Sequence, residues 1–386
     1  MKALYISFHG PFETVGGGGM ASHAYLRAFA DVFQGNVDLV VADTAKGTDE
    51  NIVLGEVYPV AERSKVSKLL SVFTGQMHRY SGFVRKLLRE NPDKYTHVVF
   101  DHSCIAGTLI REAKKHGLNT ITIHHNHEKE YYNDNTGFPR RVLFLHHVVG
   151  NERRAYKLSD LNLFLTGHDL NTFERVYGLP QGVNYVLGTF EYQDYIRQTV
   201  NVGKDPLLTF SITGSLCTHQ GMDGLRYFFS ELYPSLPKNC KVIVSGRNPT
   251  QELRNLCGSY GNVELVPNPD NMSEVINRSD VYICPTRIGG GLKLRVMDGL
   301  RLGLPVITHV CSARGYDAFF DTGCFEVFST PSGFEKSLDK IIGNIESGNL
   351  SKAHVQEIYK DVFSFDAGRQ RLSMIMSNVF PQVRPK

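Results

Sequence analysis

Two glycine clusters in this 386-residue chain, each ahead of a stretch that reads as a helix, place bare backbone where a ligand could reach it. One is Gly16–Gly19, before Met20; the other is Gly289–Gly291, before Leu292. Glycine lets main-chain N–H groups approach closely, and a helix N-terminus carries about half a positive charge, so such junctions suit anions. A single cluster reads equally well as a flexible surface turn, but two at corresponding places in two halves argue for a function. Lys293 and Arg295 fall in the first turn or so of the second helix, where a cation opposes the macrodipole. A bound diphosphate turns that opposition into attraction; a solvated charge on an exposed face is the alternative.

Other residues invite other chemistry. His124, His125 and His127 gather at the end of a strand. Neighbours on a strand face opposite ways, so His124 and His125 cannot share a metal, whereas His125 and His127 could. Glu128 is the one further ligand in sight, and no metal is expected there. Gly16, Gly18 and Ala21 match G-x-G-x-x-A, with Asp43 as a ribose acid, but His9–Val15 separates them from the preceding strand. A NAD-dependent oxidoreductase is therefore the weaker reading. Seven scattered cysteines, none in a C-x-x-C pair, read as reduced thiols rather than as a disulfide framework or zinc site.

Short aliphatic runs must carry these residues. Ala3–Phe8, Val37–Ala42, Val98–Asp101, Thr120–His124, Leu207–Ile212, Lys241–Ser245, Val263–Val266, Val281–Cys284 and Pro305–Thr308 suit strands buried on both faces of a parallel sheet. Helix-like stretches such as Met20–Phe33, Ile105–His116, Gly224–Leu232 and Leu292–Leu302 lie between them. This alternation predicts an α/β fold, and its restart after the Gly- and Pro-bearing segment 178–206 predicts two Rossmann-like, doubly wound domains facing a cleft. The expected division is 1–195, 196–363 and a last helix in 364–386 packing back on the first domain. With 41% hydrophobic residues, 21% charged residues and a net charge of +3, the composition excludes a disordered or collagen-like chain and gives general nucleic-acid binding no support.

The stretch 285–307, PTRIGGGLKLRVMDGLRLGLPVI, resembles the C-terminal domain motif of retaining family 4 glycosyltransferases of the GT-B fold. That motif has a Glu, seven residues, a second Glu, then a small-residue turn and Pro-Val. Asp298 stands at the second acid and Gly303, Pro305 and Val306 at the turn, while Gly290 stands at the first acid. The spelling is similar to a branch in which G-x-G-x-K-x-K replaces the first Glu. Thr213–Ser215 followed by Gly221–Leu225, Val244–Pro249, His125–Glu128 with Tyr131, and Glu152–Asp169 extend the resemblance over nearly the whole chain.

No Asp-x-Asp metal motif appears, so metal independence is expected; the resemblance implies an enzyme without a cofactor, the sugar nucleotide being its substrate and UDP the expected nucleotide. The C-terminal domain would hold the donor and the N-terminal domain a saccharide or lipid-linked acceptor, in surface polysaccharide synthesis. Asp298 would take the ribose hydroxyls, the amides of Gly290, Gly291 and Leu292 would face the diphosphate or sugar, and Val266 and Pro267 would border the base. Gly18, Gly19, Ser215 and Arg247 complete the implied donor site, and His125 and Lys293 are the implied catalytic residues, with His124 the substitute should the register slip by one. The loop Ser215–Gln220 lacks the Arg and Lys that family members often carry there, so Lys293, with Arg247 or Arg287, would neutralise the leaving group. A cytoplasmic protein is expected, touching a membrane at most peripherally, through the basic amphipathic span 64–90. Gly290 also leaves room for a second reading, a GT-B scaffold that binds sugar nucleotide without transferring it.

Overall fold

The computed structural model describes residues 1–12, 17–61, 64, 80–135, 138, 140–194 and 207–383. Close contacts divide the chain into two compact units, 1–195 with 363–386, and 196–362. The division expected between residues 195 and 196 falls in 195–206, which lies outside the described residues, as does Gly16.

The first unit is built on a seven-stranded sheet. Its strands are β1 (Ala3–Ser7), β2 (Val37–Ala42), β3 (Val57–Val60), β4 (His97–Asp101), β5 (Asn119–His124), β6 (Leu161–Phe164) and β7 (Val183–Val186), ordered β3-β2-β1-β4-β5-β6-β7. All neighbours run parallel. Strands β1, β2 and β4 are buried at every position, as β-branched runs covered on both faces should be. The edges differ. β3 and β7 are half exposed, and Pro59 sits in β3, where one missing N–H is harmless at a sheet edge. The returning helix Phe365–Val379 packs on the helix Gly17–Val32 of the same unit. Ser364 caps the returning helix, and a Cβ at Gly368 would lie 2.0 Å from the Phe190 ring.

The second unit has six strands: β8 (Leu208–Ser215), β9 (Cys240–Arg247), β10 (Val263–Pro267), β11 (Val281–Cys284), β12 (Val306–His309) and β13 (Phe325–Phe328), ordered β10-β9-β8-β11-β12-β13. They too are all parallel. Both units are thus doubly wound α/β folds. In each, chain order reverses beside the first strand, between β1 and β4 and between β8 and β11. Ligands in such sheets bind outside the carboxyl ends of the strands at that reversal.

Some element boundaries depart from the sequence reading. The helix expected over Leu292–Leu302 begins only at Arg295 and ends at Arg301, so Lys293 precedes it and Asp298 lies in its first turn. Two residues with positive φ, Gly289 and Gly291, hold the chain in an irregular turn ahead of it. The helix expected from Gly224 starts at His219, because Thr218 caps it by accepting from the Gly221 N–H at 3.2 Å. Of the basic span 64–90, residues 65–79 lie outside the described residues. The part that is described, the helix Ser81–Glu90, turns Val84, Leu87 and Leu88 into the core rather than outward. Among the described residues no helix is long and apolar enough to cross a membrane.

Candidate functional site

Each unit places polar chemistry at its strand-order reversal. In the second unit Gly214 and Gly246 are the next-to-last residues of β8 and β9, and the second is obligatory: a Cβ at Gly246 would lie 1.8 Å from the Gly214 carbonyl oxygen. On the β11 side the chain runs through buried Thr286 into the glycine turn. That turn folds over the helix His219–Tyr227, so a Cβ at Gly289 would meet the Gln220 amide at 2.3 Å. Three hydrogen bonds fix its course. Lys293 Nζ donates to the Gly290 carbonyl at 2.7 Å, Tyr316 donates to the Lys293 carbonyl at 2.8 Å, and Ser312 donates to the Thr286 carbonyl at 2.6 Å.

The electrostatics of this turn are one-sided. Lys293 is buried, and burial, then repulsion from Arg295 and Arg314, lowers its ammonium pKa to about 8. Its ammonium has three N–H donors, and the turn uses one. Among the described residues no carboxylate pairs with Lys293 or Arg295. An uncompensated buried cation is costly for a protein alone, and the arrangement suits an anionic ligand.

The remaining implied donor residues are spread around this centre. Asp298 keeps its side chain 38% exposed, 3.8 Å from Arg301, so its carboxylate is within reach of a ligand. Gly290 is open: a Cβ there would meet nothing within 4 Å. Gly291 is buried, whereas Leu292 and Ser215 are half-buried, the Ser215 hydroxyl lying 3.7 Å from the Cys217 thiol. Arg247 is exposed at the end of β9, and Val266 and Pro267 close β10, where the Val266 carbonyl accepts from Ser245. Arg287 is already engaged, donating twice to Asp223 at 2.9 and 3.1 Å with its guanidinium 4.5 Å from the Tyr227 ring centre.

The first unit gathers a different set at the ends of β1, β4 and β5. His125, just past β5, places Nε2 2.6 Å from Oδ1 of Asp101, the last residue of β4. Burial pushes the fully enclosed Asp101 carboxyl up, but the His125 ring, with Ser22 and His9, outweighs it and holds the group below its ordinary value. Asp101 is therefore a carboxylate that can only accept, which puts the proton on Nε2 and leaves the lone pair on Nδ1. At neutral charge His125 can thus accept a hydrogen bond or a proton at Nδ1.

Two further histidines surround it. The His9 ring centre is 5.6 Å from that of His125, and burial, then His125, lowers the His9 pKa to about 4. His102 stacks on Phe8 at 4.1 Å, accepts from the Cys104 N–H at Nδ1 and sets Nε2 3.2 Å from Glu128. Gly18 explains part of the first glycine cluster, because a Cβ there would lie 2.8 Å from the His9 ring. Gly18 is half-buried and Gly19 buried in the first turn of the helix Gly17–Val32.

The other two strand-end histidines belong elsewhere. His124 is a core residue, stacked on Phe164 at 4.9 Å and bonded to Asn162 at 2.9 Å, and burial lowers its pKa to about 4. His127 sits among Phe173 and Tyr177 with Glu152 3.6 Å away, so it shares no partner with His125. His102, Cys104 and Glu128 bring one ligand atom each within 4.8 Å of one another. They make a poor metal site nonetheless, because His102 Nδ1 is already an acceptor and a metal on Nε2 would demand an imidazolate. What the sequence could not reveal is the partners: Asp101, His9 and His102 reach His125 only through the register of β1, β4 and β5.

Comparisons with known proteins agree with this architecture. Residues 208–342, most of the second unit, match a family model described as "Glycosyl transferases group 1". An uncharacterised 44.6 kDa protein in the cps region of Klebsiella pneumoniae is 20% identical over 239 residues, 58% of this chain and 59% of that relative. This chain thus spans about three-fifths of the length of that relative. Among solved structures, Alr3699/HepE from Anabaena in complex with UDP superimposes with a TM-score of 0.69 at 11% identity, over 98% of this chain and 100% of that one. WaaG, a glycosyltransferase involved in lipopolysaccharide biosynthesis, does so with a TM-score of 0.64 at 16% identity, over 97% and 99%. At these identities the likeness establishes the fold, two parallel-sheet Rossmann-like units of the GT-B type.

Proposed function

We propose that this protein is a glycosyltransferase that moves a sugar from a nucleoside-diphosphate donor to a saccharide or lipid-linked acceptor, with retention and without a metal, in surface polysaccharide synthesis. The observation that carries it is the buried Lys293 ammonium, unpaired with any described carboxylate, at the strand-order reversal of the unit that matches the group 1 model. There the ammonium and the amides of Gly290, Gly291 and Leu292 would stabilise the departing diphosphate, which is the main electrostatic demand of the reaction. Asp298 would hold the ribose, and Ser215, Arg247, Val266 and Pro267 would line the rest of the donor site. His125, oriented by Asp101, would accept a hydrogen bond at Nδ1 from a sugar or acceptor hydroxyl. Gly18 and Gly19 would offer amides to the anionic part of the donor.

UDP is the expected nucleotide, as in the Anabaena complex, and the likeness to WaaG, a glycosyltransferase involved in lipopolysaccharide biosynthesis, supports the polysaccharide context. Thermal-shift titration with UDP, GDP and their sugars tests the reading: at least one should stabilise the protein, and a panel with no response sinks it. NMR of the product's anomeric proton tests retention, and activity unchanged by EDTA tests metal independence. Because Gly290 stands where the resembling enzymes carry a Glu, binding without turnover of any donor would instead favour a scaffold that holds sugar nucleotide and does not transfer it.

A further inference from the structure

The loop that follows the first strand of the second unit, Ser215–Gln220, contains no lysine or arginine, yet a guanidinium occupies the space above the end of that strand. It belongs to Arg295. A Cβ on Gly214 would lie 2.7 Å from Arg295 Nη1 and 3.0 Å from its Cζ, so the guanidinium rests directly on the bare backbone at the end of β8. Nη1 donates to the Thr286 hydroxyl at 3.2 Å, just past β11. Arg295 therefore spans the carboxyl ends of the two strands between which chain order reverses. No described carboxylate pairs with it, and it lies near enough to Lys293 to help lower that ammonium's proton affinity. Two like charges held together at the strand-order reversal, with most of their donors unspent, suit an anion carrying more than one charge.

We infer that Arg295 is a diphosphate ligand, supplying from the turn after β11 the second cation that the loop after β8 lacks. This rests on the donor-binding reading above and adds to it the division of labour: Lys293 meets the anion as a point charge, while the planar fork of Arg295 bridges two phosphate oxygens. Thr286 holds one arm of the fork, so the guanidinium is orientated before the ligand arrives. Gly214 is required because any side chain would displace it.

The test is isothermal titration of the full chain with UDP, GDP, ADP and dTDP, and of the matching monophosphate for whichever diphosphate wild type binds. Arg295→Gln should weaken the diphosphate roughly tenfold to hundredfold while changing the monophosphate less than about threefold. Arg295→Lys, which keeps the charge and loses the fork, should fall between and serves as the measurement if Arg295→Gln does not fold. An arginine that merely clamps β8 to β11 would lower the melting temperature and weaken both ligands alike, and that result overturns the inference. So does an unchanged diphosphate affinity, which would leave the donor-binding reading intact. Wild type that binds none of the four diphosphates takes both down.

Discussion

Lys293 is the residue whose chemistry is most exposed to measurement. Its ammonium titrates at about 8 in the free protein, whereas a bound diphosphate would favour the charged form and raise that value. Binding therefore needs no extra proton well below pH 8 and takes one up above it, so diphosphate affinity should fall as pH rises through 8. Titrations in buffers of different ionisation enthalpy should show this proton uptake at pH 9 and not at pH 6.5. Lys293→Met removes the charge and should cost at least about 2 kcal/mol, roughly thirtyfold, in the same titration. At this scale the sequence exposes residue types and spacings but not partners. The G-G-G-L-K-L-R spelling suggests a turn suited to an anion, yet nothing in it says that Lys293 folds back on the Gly290 carbonyl while Arg295 reaches across to Gly214. Likewise Asp101 stands 24 residues before His125, and only the parallel pairing of β4 with β5 makes them neighbours.

Helix packing decides how firmly these groups are held. The helices Ser103–Lys115 and Arg140–Leu158 meet at Gly107, where a Cβ would lie 2.2 Å from the Asn151 carbonyl oxygen. Backbone cannot swing aside as a side chain can, so Gly107→Ala should cost about 1–3 kcal/mol and lower the melting temperature by several degrees. The strain would also reach Glu152, which follows Asn151 and lies beside His127. Gly82→Ala is the contrasting case. Its Cβ would meet nothing within 4 Å in the helix Ser81–Glu90, and helix propensity alone should make it neutral or stabilising by up to about 1 kcal/mol in the same melting experiment. The central strands are legible in the sequence because burial on both faces demands unbroken aliphatic runs, as in Val37–Ala42. The strands β3, β6, β7 and β13 escape the pattern for local reasons. VYPV and VNYV are half-exposed edges, LNLF carries the buried Asn162, which bonds His124, and FEVF is another edge with Glu326 in its middle.

Across the whole molecule, acid should act first on the unit that contains residues 1–195, where most of the histidines lie. Burial lowers both His97 and His124 to a pKa of about 4, against about 6.5 for an unfolded histidine. Between those values the unfolded chain binds protons that the folded one refuses, so stability is present above pH 6.5 and is lost as pH falls toward 4. The slope is up to about 1.4 kcal/mol per pH unit for each such residue. Thermal unfolding followed from pH 7.5 to 4.5 should show this decline, and His97→Gln or His124→Gln should flatten it; a midpoint independent of pH over that range would contradict it.

His97 also touches the end of the returning segment, its ring centre 5.0 Å from that of Phe380. That return makes residues 196–362 an insert within a discontinuous partner, crossed twice by the chain. A chimera exchanging this half must therefore be spliced at both crossings. A simple tail deletion ending at 362 would instead strip Phe365, Gly368 and Phe380 from the opposite half, leaving Phe190 and His97 to face water.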